Sequence, residues 1–202
     1  MRSIPRAAEP LLREFAEAFT PPTYHRFIVL LLAAILTTGR RTVTNLLRTV
    51  STLAPGHPSS YHRVFSQRRW SSWRLARALA GFILRRWVPE GPVSLCGDDT
   101  VDEHRGKKVY GKACHRDAVR STHSFTAYRW GHKWVVLAVL VKFPLARRLG
   151  ALPVRVALYR SKEWNRKHGR RHKTPSELMR PLRAVLIRWF PQRKFIFAGD
   201  GG

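Results

Sequence analysis

Hydrophobic and polar positions change rhythm once along this chain. Up to about position 90 the spacing is helical. Residues 9–19 form a short amphipathic stretch that ends at Pro21-Pro22. Residues 24–38 are apolar nearly all round, the pattern of a buried helix, and Gly39 suits its C-terminal stop. Residues 42–52 predict the next helix, and Pro55-Gly56-His57-Pro58 ends it with a clear break. Residues 61–87 predict one or two further helices, interrupted near Ser71-Ser72.

Pro89-Glu90-Gly91-Pro92 marks the boundary, so residues 1–90 read as a helical region and 91–202 as a second domain. Residues 93–96 are a short apolar strand. Residues 124–129 and 134–141 are β-rich, with Trp130-Gly131-His132-Lys133 between them as a hairpin turn. Residues 154–159 are extended again. Residues 161–173 carry six Lys/Arg, two His and one Glu, and read as a basic loop. Thr174, Pro175 and Glu177 then give three agreeing helix-start cues: a cap, a first-turn proline and a capping box. That helix runs to about Phe190, where Pro191 stops it. Residues 193–199 are a last strand, followed by Asp200-Gly201-Gly202. The pattern predicts an α+β chain, helical first and sheet-forming second.

Charge sharpens this picture. Lys and Arg number 38 against 12 Asp and Glu, a net +26. A surface this basic repels itself until a polyanion neutralises it. Nucleic acid is the first partner to consider, an anionic membrane surface the rival, and a freely solvated Arg-rich surface the bland alternative. Arg68, Arg69 and Arg74, interleaved with Trp70 and Trp73, suit phosphate contact on the helical region. A helix-turn-helix reader and a solvated basic face are both open there. Arg166, Lys167, Arg170 and Arg171 would grip phosphate from the second domain. The longest apolar run, 27–36, falls short of the ~20 residues a membrane span needs, so no membrane is expected. No signal peptide opens the chain. Two cysteines make no disulfide framework, which fits a soluble protein in a reducing compartment. Cys96, Cys114, His115 and His123 match no zinc-finger spacing. A core cysteine and solvated histidines are the expectation.

Acidic residues are scarce, so their places carry information. Four of the twelve fall at Asp98, Asp99, Asp102 and Glu103, after the strand at 93–96. Asp200 follows another apolar run, Phe195-Ile196-Phe197-Ala198-Gly199. Carboxylates crowded near a core cost free energy unless a cation joins them. Hard ions such as Mg²⁺ take oxygen ligands and keep exchangeable waters, and two of them can serve phosphodiester cleavage. The other reading is a polar turn neutralised by Arg105, Lys107 and Lys108. Spacing alone leaves both open.

Gly97-Asp98-Asp99-Thr100, Lys107-Lys108 and Phe197-Ala198-Gly199-Asp200-Gly201-Gly202 resemble bacterial insertion-sequence transposases of the DDE superfamily. The helical first part resembles the segment preceding their catalytic domain. The resemblance implies a ribonuclease H-like fold, in which three antiparallel strands precede a helix and a parallel strand. It implies Asp99 as the first metal-binding carboxylate, with Asp98 as the alternative, and Asp200 as the second. It implies Mg²⁺ or Mn²⁺ as cofactor, and DNA strand cleavage and transfer by water and then a 3′-hydroxyl. Element ends and target DNA would be the partners, with room for a homodimer of the full-length parent. The setting would be the bacterial cytoplasm, at the nucleoid. The family's third acidic residue, usually Glu on a later helix, has no counterpart before Gly202. The expectation is therefore an incomplete ribonuclease H-like domain, a fragment truncated before that residue. The competing expectation is a non-catalytic basic DNA-binding protein or remnant.

Overall fold

The computed structural model describes residues 6–106, 108–117 and 119–199. The chain divides into two compact units, residues 1–82 and 83–202.

The first unit is helical. Helices α1 (Glu9–Arg13), α2 (Pro21–Leu36), α3 (Val43–Thr49) and α4 (Ser59–Ser66) lie within it, and α5 (Ser72–Trp87) begins in it. Pro21-Pro22 opens α2 rather than closing the helix before it. Proline suits the first helical turn because no intrahelical partner awaits its missing N–H. One apolar cluster holds the unit: Leu30 and Ala33 of α2, Leu46 and Val50 from the α3 segment, Tyr61 and Val64 of α4. Buried polar groups find partners there. The Tyr61 hydroxyl donates to the Pro55 carbonyl at 3.0 Å and Thr37 Oγ1 to the Ala33 carbonyl at 2.7 Å. Trp70 Nε1 donates to the Val64 carbonyl at 2.8 Å, and Phe19 rests against both Phe27 and Trp70.

The second unit is a five-stranded mixed sheet with a helix packed on it. Its strands are β1 (Val93–Glu103), β2 (Ala113–Arg116), β3 (Tyr128–Val141), β4 (Gly150–Tyr159) and β5 (Phe195–Gly199). Helices α6 (Lys162–Lys167) and α7 (Pro175–Trp189) come between β4 and β5. Strand β3 pairs antiparallel with β1 on one edge. On its other edge β2 and β4 lie end to end: residues 128–131 of β3 pair with β2, and residues 133–141 with β4. Strand β5 adds to β1 in parallel, Val93 opposite Phe195 through Gly97 opposite Gly199. With β2 a short extension on the edge that β4 occupies, the three main antiparallel strands β1, β3 and β4, then helices, then a parallel strand beside the first, follow the order expected of a ribonuclease H-like fold.

Val93, Leu95, Leu137, Val139 and Val141 are all but fully buried on the face that α7 covers with Met179, Leu182 and Leu186. Gly97 lies on that face too: a Cβ there would stand 2.5 Å from Met179 Cε. The opposite face is more open, with Val156 and Ile196 about half exposed. Helix α7 starts with the capping box read from sequence. Thr174 Oγ1 accepts from Glu177 N at 3.2 Å, and Glu177 Oε2 accepts from Thr174 N at 2.8 Å.

Three sequence expectations need correction. Trp130–Lys133 is no turn but the interior of β3, because β1 and β2 supply ladder partners on both sides of Gly131. The strand at 93–96 continues to Glu103, so the acidic group lies within β1 rather than after it. The basic stretch 161–173 contains α6, capped where Ser161 Oγ accepts from Trp164 N at 3.1 Å.

Candidate active site

Two carboxylates sit on β1 one and two residues past the Gly97–Gly199 pair. Alternation along a strand sends neighbouring side chains to opposite faces. Asp99 therefore shares the face of Leu95 and Gly97, and Asp98 shares that of Cys96. Both are exposed. Asp98 Oδ1 accepts from the Asp99 N–H at 2.7 Å, which fixes its rotamer against the backbone.

Asp99 has a cation beside it. Lys133 Nζ lies 2.9 Å from Asp99 Oδ1. Lys133 pairs in register with Val101, two residues on, so the contact is a diagonal across the β1–β3 ladder. Tyr159, opposite Lys133 on β4, places its ring 5.8 Å from the ammonium. His115 on β2 packs against the Tyr159 ring at 5.7 Å, and His172 meets the same ring at 5.6 Å.

The electrostatics follow from this crowding. His115 is 6% exposed, and its Nε2 has no hydrogen-bond partner in the structure. Burial lowers its pKa, and the Lys133 charge lowers it further. The Tyr159 hydroxyl is raised, chiefly by burial and then by Glu163 and Asp99. Cys96 is raised by burial and by Asp98. His115 is thus a buried residue where the sequence suggested a solvated one. Asp117 is also buried, with Arg129 Nε 2.7 Å from its Oδ2.

Asp200 lies outside the described residues. Among the described residues, no three His, Cys, Asp or Glu side chains gather as a metal site. Asp98 and Asp99 nonetheless offer hard oxygen donors of the type Mg²⁺ and Mn²⁺ take. The basic residues expected to meet phosphate are at the surface. Arg68 and Arg69 sit in the turn between α4 and α5, and Arg74 in the first turn of α5. Arg166 and Lys167 end α6; Arg170 and Arg171 follow it. Lys162, Glu163, Arg166, Arg170 and His172 line a cavity of about 390 Å³. Arg171 reaches Glu177 Oε1 at 3.7 Å.

A family model described as DDE superfamily endonuclease matches residues 14–202. The chain belongs to the DDE superfamily endonucleases. No curated protein and no solved structure was found to match it. The family match spans nearly the whole chain, helical unit included. Among the described residues of this family member, no helix is long and apolar enough to cross a membrane.

Sequence reasoning missed Lys133, Tyr159 and His115 as neighbours of the acidic pair. The available signal was the alternation from Tyr128 to Val135, with Arg129, Gly131 and Lys133 at odd positions and rings at even ones. Reading a turn there hid it.

Proposed function

We propose that this chain is the DNA-cutting part of a transposase of the insertion-sequence type. It cleaves element ends and joins them to target DNA, using Mg²⁺ or Mn²⁺. Asp99 or Asp98 is the first carboxylate ligand and Asp200 the second. The supporting observation is the position of the acidic pair. Asp98 directly follows Gly97, Asp200 directly follows Gly199 in sequence, and those two glycines are register partners in a DDE endonuclease family member.

Each residue then has a task. The carboxylates hold the ions by hard oxygen donors. Such ions would activate the attacking oxygen and stabilise the leaving one. Lys133 compensates the charge of Asp99 on its own face of the sheet. Arg166, Lys167, Arg170 and Arg171 grip the phosphate backbone near the sheet, and Arg68, Arg69 and Arg74 do so from the helical unit. The third carboxylate implied by the family resemblance is assigned to no residue here.

The test is Mn²⁺ binding followed by electron paramagnetic resonance, with nicking of supercoiled DNA as a second readout. Saturable Mn²⁺ binding should weaken at least ten-fold in Asp200→Asn and in the Asp98→Asn, Asp99→Asn double variant. The two single variants at 98 and 99 then identify the first ligand. Affinity unchanged in both the double variant and Asp200→Asn overturns the assignment.

A further inference from the structure

Strand β3 carries four rings on one face at every second position: Tyr128, Trp130, His132 and Trp134. They lie on the more open side of the sheet, the side of Asp98, because Val136 continues the series and is the register partner of Asp98. Same-face neighbours on a strand stand about 6.8 Å apart. Tyr128 is 67% exposed and Trp130 60%. Leaving two large rings in water forfeits the burial that ordinarily stabilises them.

Positive charge flanks the row. Lys112 Nζ lies 5.6 Å from the Trp130 ring. Arg116 is the register partner of Tyr128 and is exposed. Arg105, Lys112 and Arg120 line a cavity of about 480 Å³ together with Tyr128 and Trp130. Acidic groups also face this region. Glu103 is within 4.0 Å of Arg105, Asp102 within 3.3 Å of His104, and Asp117 takes Arg129 and Arg120. Lys112 donates to the Gly106 carbonyl and Arg116 points from an exposed strand position, so both keep charge for a phosphate.

We infer that this row is a stacking platform for single-stranded DNA. Unpaired bases lie on Tyr128 and Trp130, and the adjacent phosphates meet Lys112 and Arg116. Stacking on exposed rings beside cations is how proteins hold single strands without reading their sequence. A duplex hides its base faces and cannot use such rings. The row runs along β3 toward the position opposite Asp98, so a strand held here is led toward that carboxylate, the one of the acidic pair on this face. This deepens the DNA-acting reading but needs neither metal nor cleavage.

The experiment uses the whole chain and a fluorescent oligothymidylate of about twenty nucleotides, a length that spans one or more single-strand binding sites, against a duplex of the same length. Trp130→Ala and Tyr128→Ala, both at exposed positions, should each weaken single-strand binding about ten-fold and leave duplex binding within about two-fold. Trp130→Phe should keep most of the affinity, and circular dichroism checks the fold of each variant. Arg166→Ala with Arg170→Ala should weaken both ligands, which separates the general phosphate grip from this platform. Single-strand affinity unchanged in both aromatic variants overturns the inference. Equal losses for single strand and duplex do so too. So does concentration-dependent self-association that Trp130→Ala abolishes while single-strand binding persists, since the rings would then seat a second copy.

Discussion

Lys133 Nζ stands 2.9 Å from Asp99 Oδ1, on a strand whose neighbouring positions are apolar or aromatic. The pair is part-exposed, so its worth to stability is under about 1 kcal/mol. Its larger effect falls on any cation that approaches Asp99. The ammonium already neutralises that charge. Lys133→Gln should therefore raise Mn²⁺ affinity about three-fold, an energy in the range of one part-exposed ion pair. Lys133→Arg should leave it near wild type. Isothermal titration distinguishes these outcomes, and a fall in affinity for Lys133→Gln would contradict the account.

DNA affinity should fall steeply with salt, because binding by a +26 chain releases counterions from phosphate. Arg166→Ala and Arg170→Ala should each reduce the slope of log affinity against log salt by about 1. Fluorescence anisotropy across a salt series measures it. A slope unchanged in both variants removes these residues from the phosphate contacts.

Two glycines should respond differently to alanine. At Gly131 a Cβ would collide with the Asp102 carbonyl, which is backbone of the paired strand. At Gly97 the nearest obstacle is the end of the Met179 side chain. Backbone cannot yield without opening the β1–β3 ladder, whereas a methionine can change rotamer. Gly131→Ala should cost about 3 kcal/mol and Gly97→Ala about 1 kcal/mol. Urea denaturation of both variants gives the comparison, and an equal cost would show that the ladder gives way as easily as the methionine.

The α7 cap sets an acid response. The Thr174 backbone N–H, hydrogen-bonded to the Glu177 carboxylate, lowers that carboxyl below its ordinary value of 4.5. A lowered folded-state pKa means the unfolded chain takes up the proton first as pH falls. The contribution is therefore complete above the ordinary value and is lost as pH drops through the folded one. Wild type should lose stability relative to Glu177→Gln as pH falls through and below 4.5, read as the difference in thermal midpoints. Thr174→Ala should cost about 1 kcal/mol at neutral pH. A wild-type-minus-variant difference flat across that range would mean that the cap contributes nothing.

Much of the sheet was legible because its local cues agreed. Thr174, Pro175 and Glu177 predicted the α7 start residue by residue. The apolar runs before Asp98 and Asp200 marked two strands, and these proved to be parallel neighbours. The long strand β3 was not legible. A glycine between Trp130 and His132 has the composition of a turn, and only the neighbours at Glu103 and Ala113 make it a strand. The same gap concealed Lys133 as the partner of Asp99. Strand β2, four residues with no apolar run, has no local signature either. The environment of Asp98 and Asp99 came from across the sheet, and one-dimensional spacing does not encode it.

The parallel pairing of β1 with β5 joins segments about a hundred positions apart, and closing so long a loop is entropically costly and slow. Hairpin-like contacts among β1, β3 and β4 join nearer segments and can form earlier. Docking of β5 against β1 is therefore expected to follow the antiparallel ladder in folding. A chain caught before that step would hold its antiparallel ladder, and still bind phosphate, with one edge of β1 bare. Any step that needs β1 and β5 side by side would then wait on β5 docking.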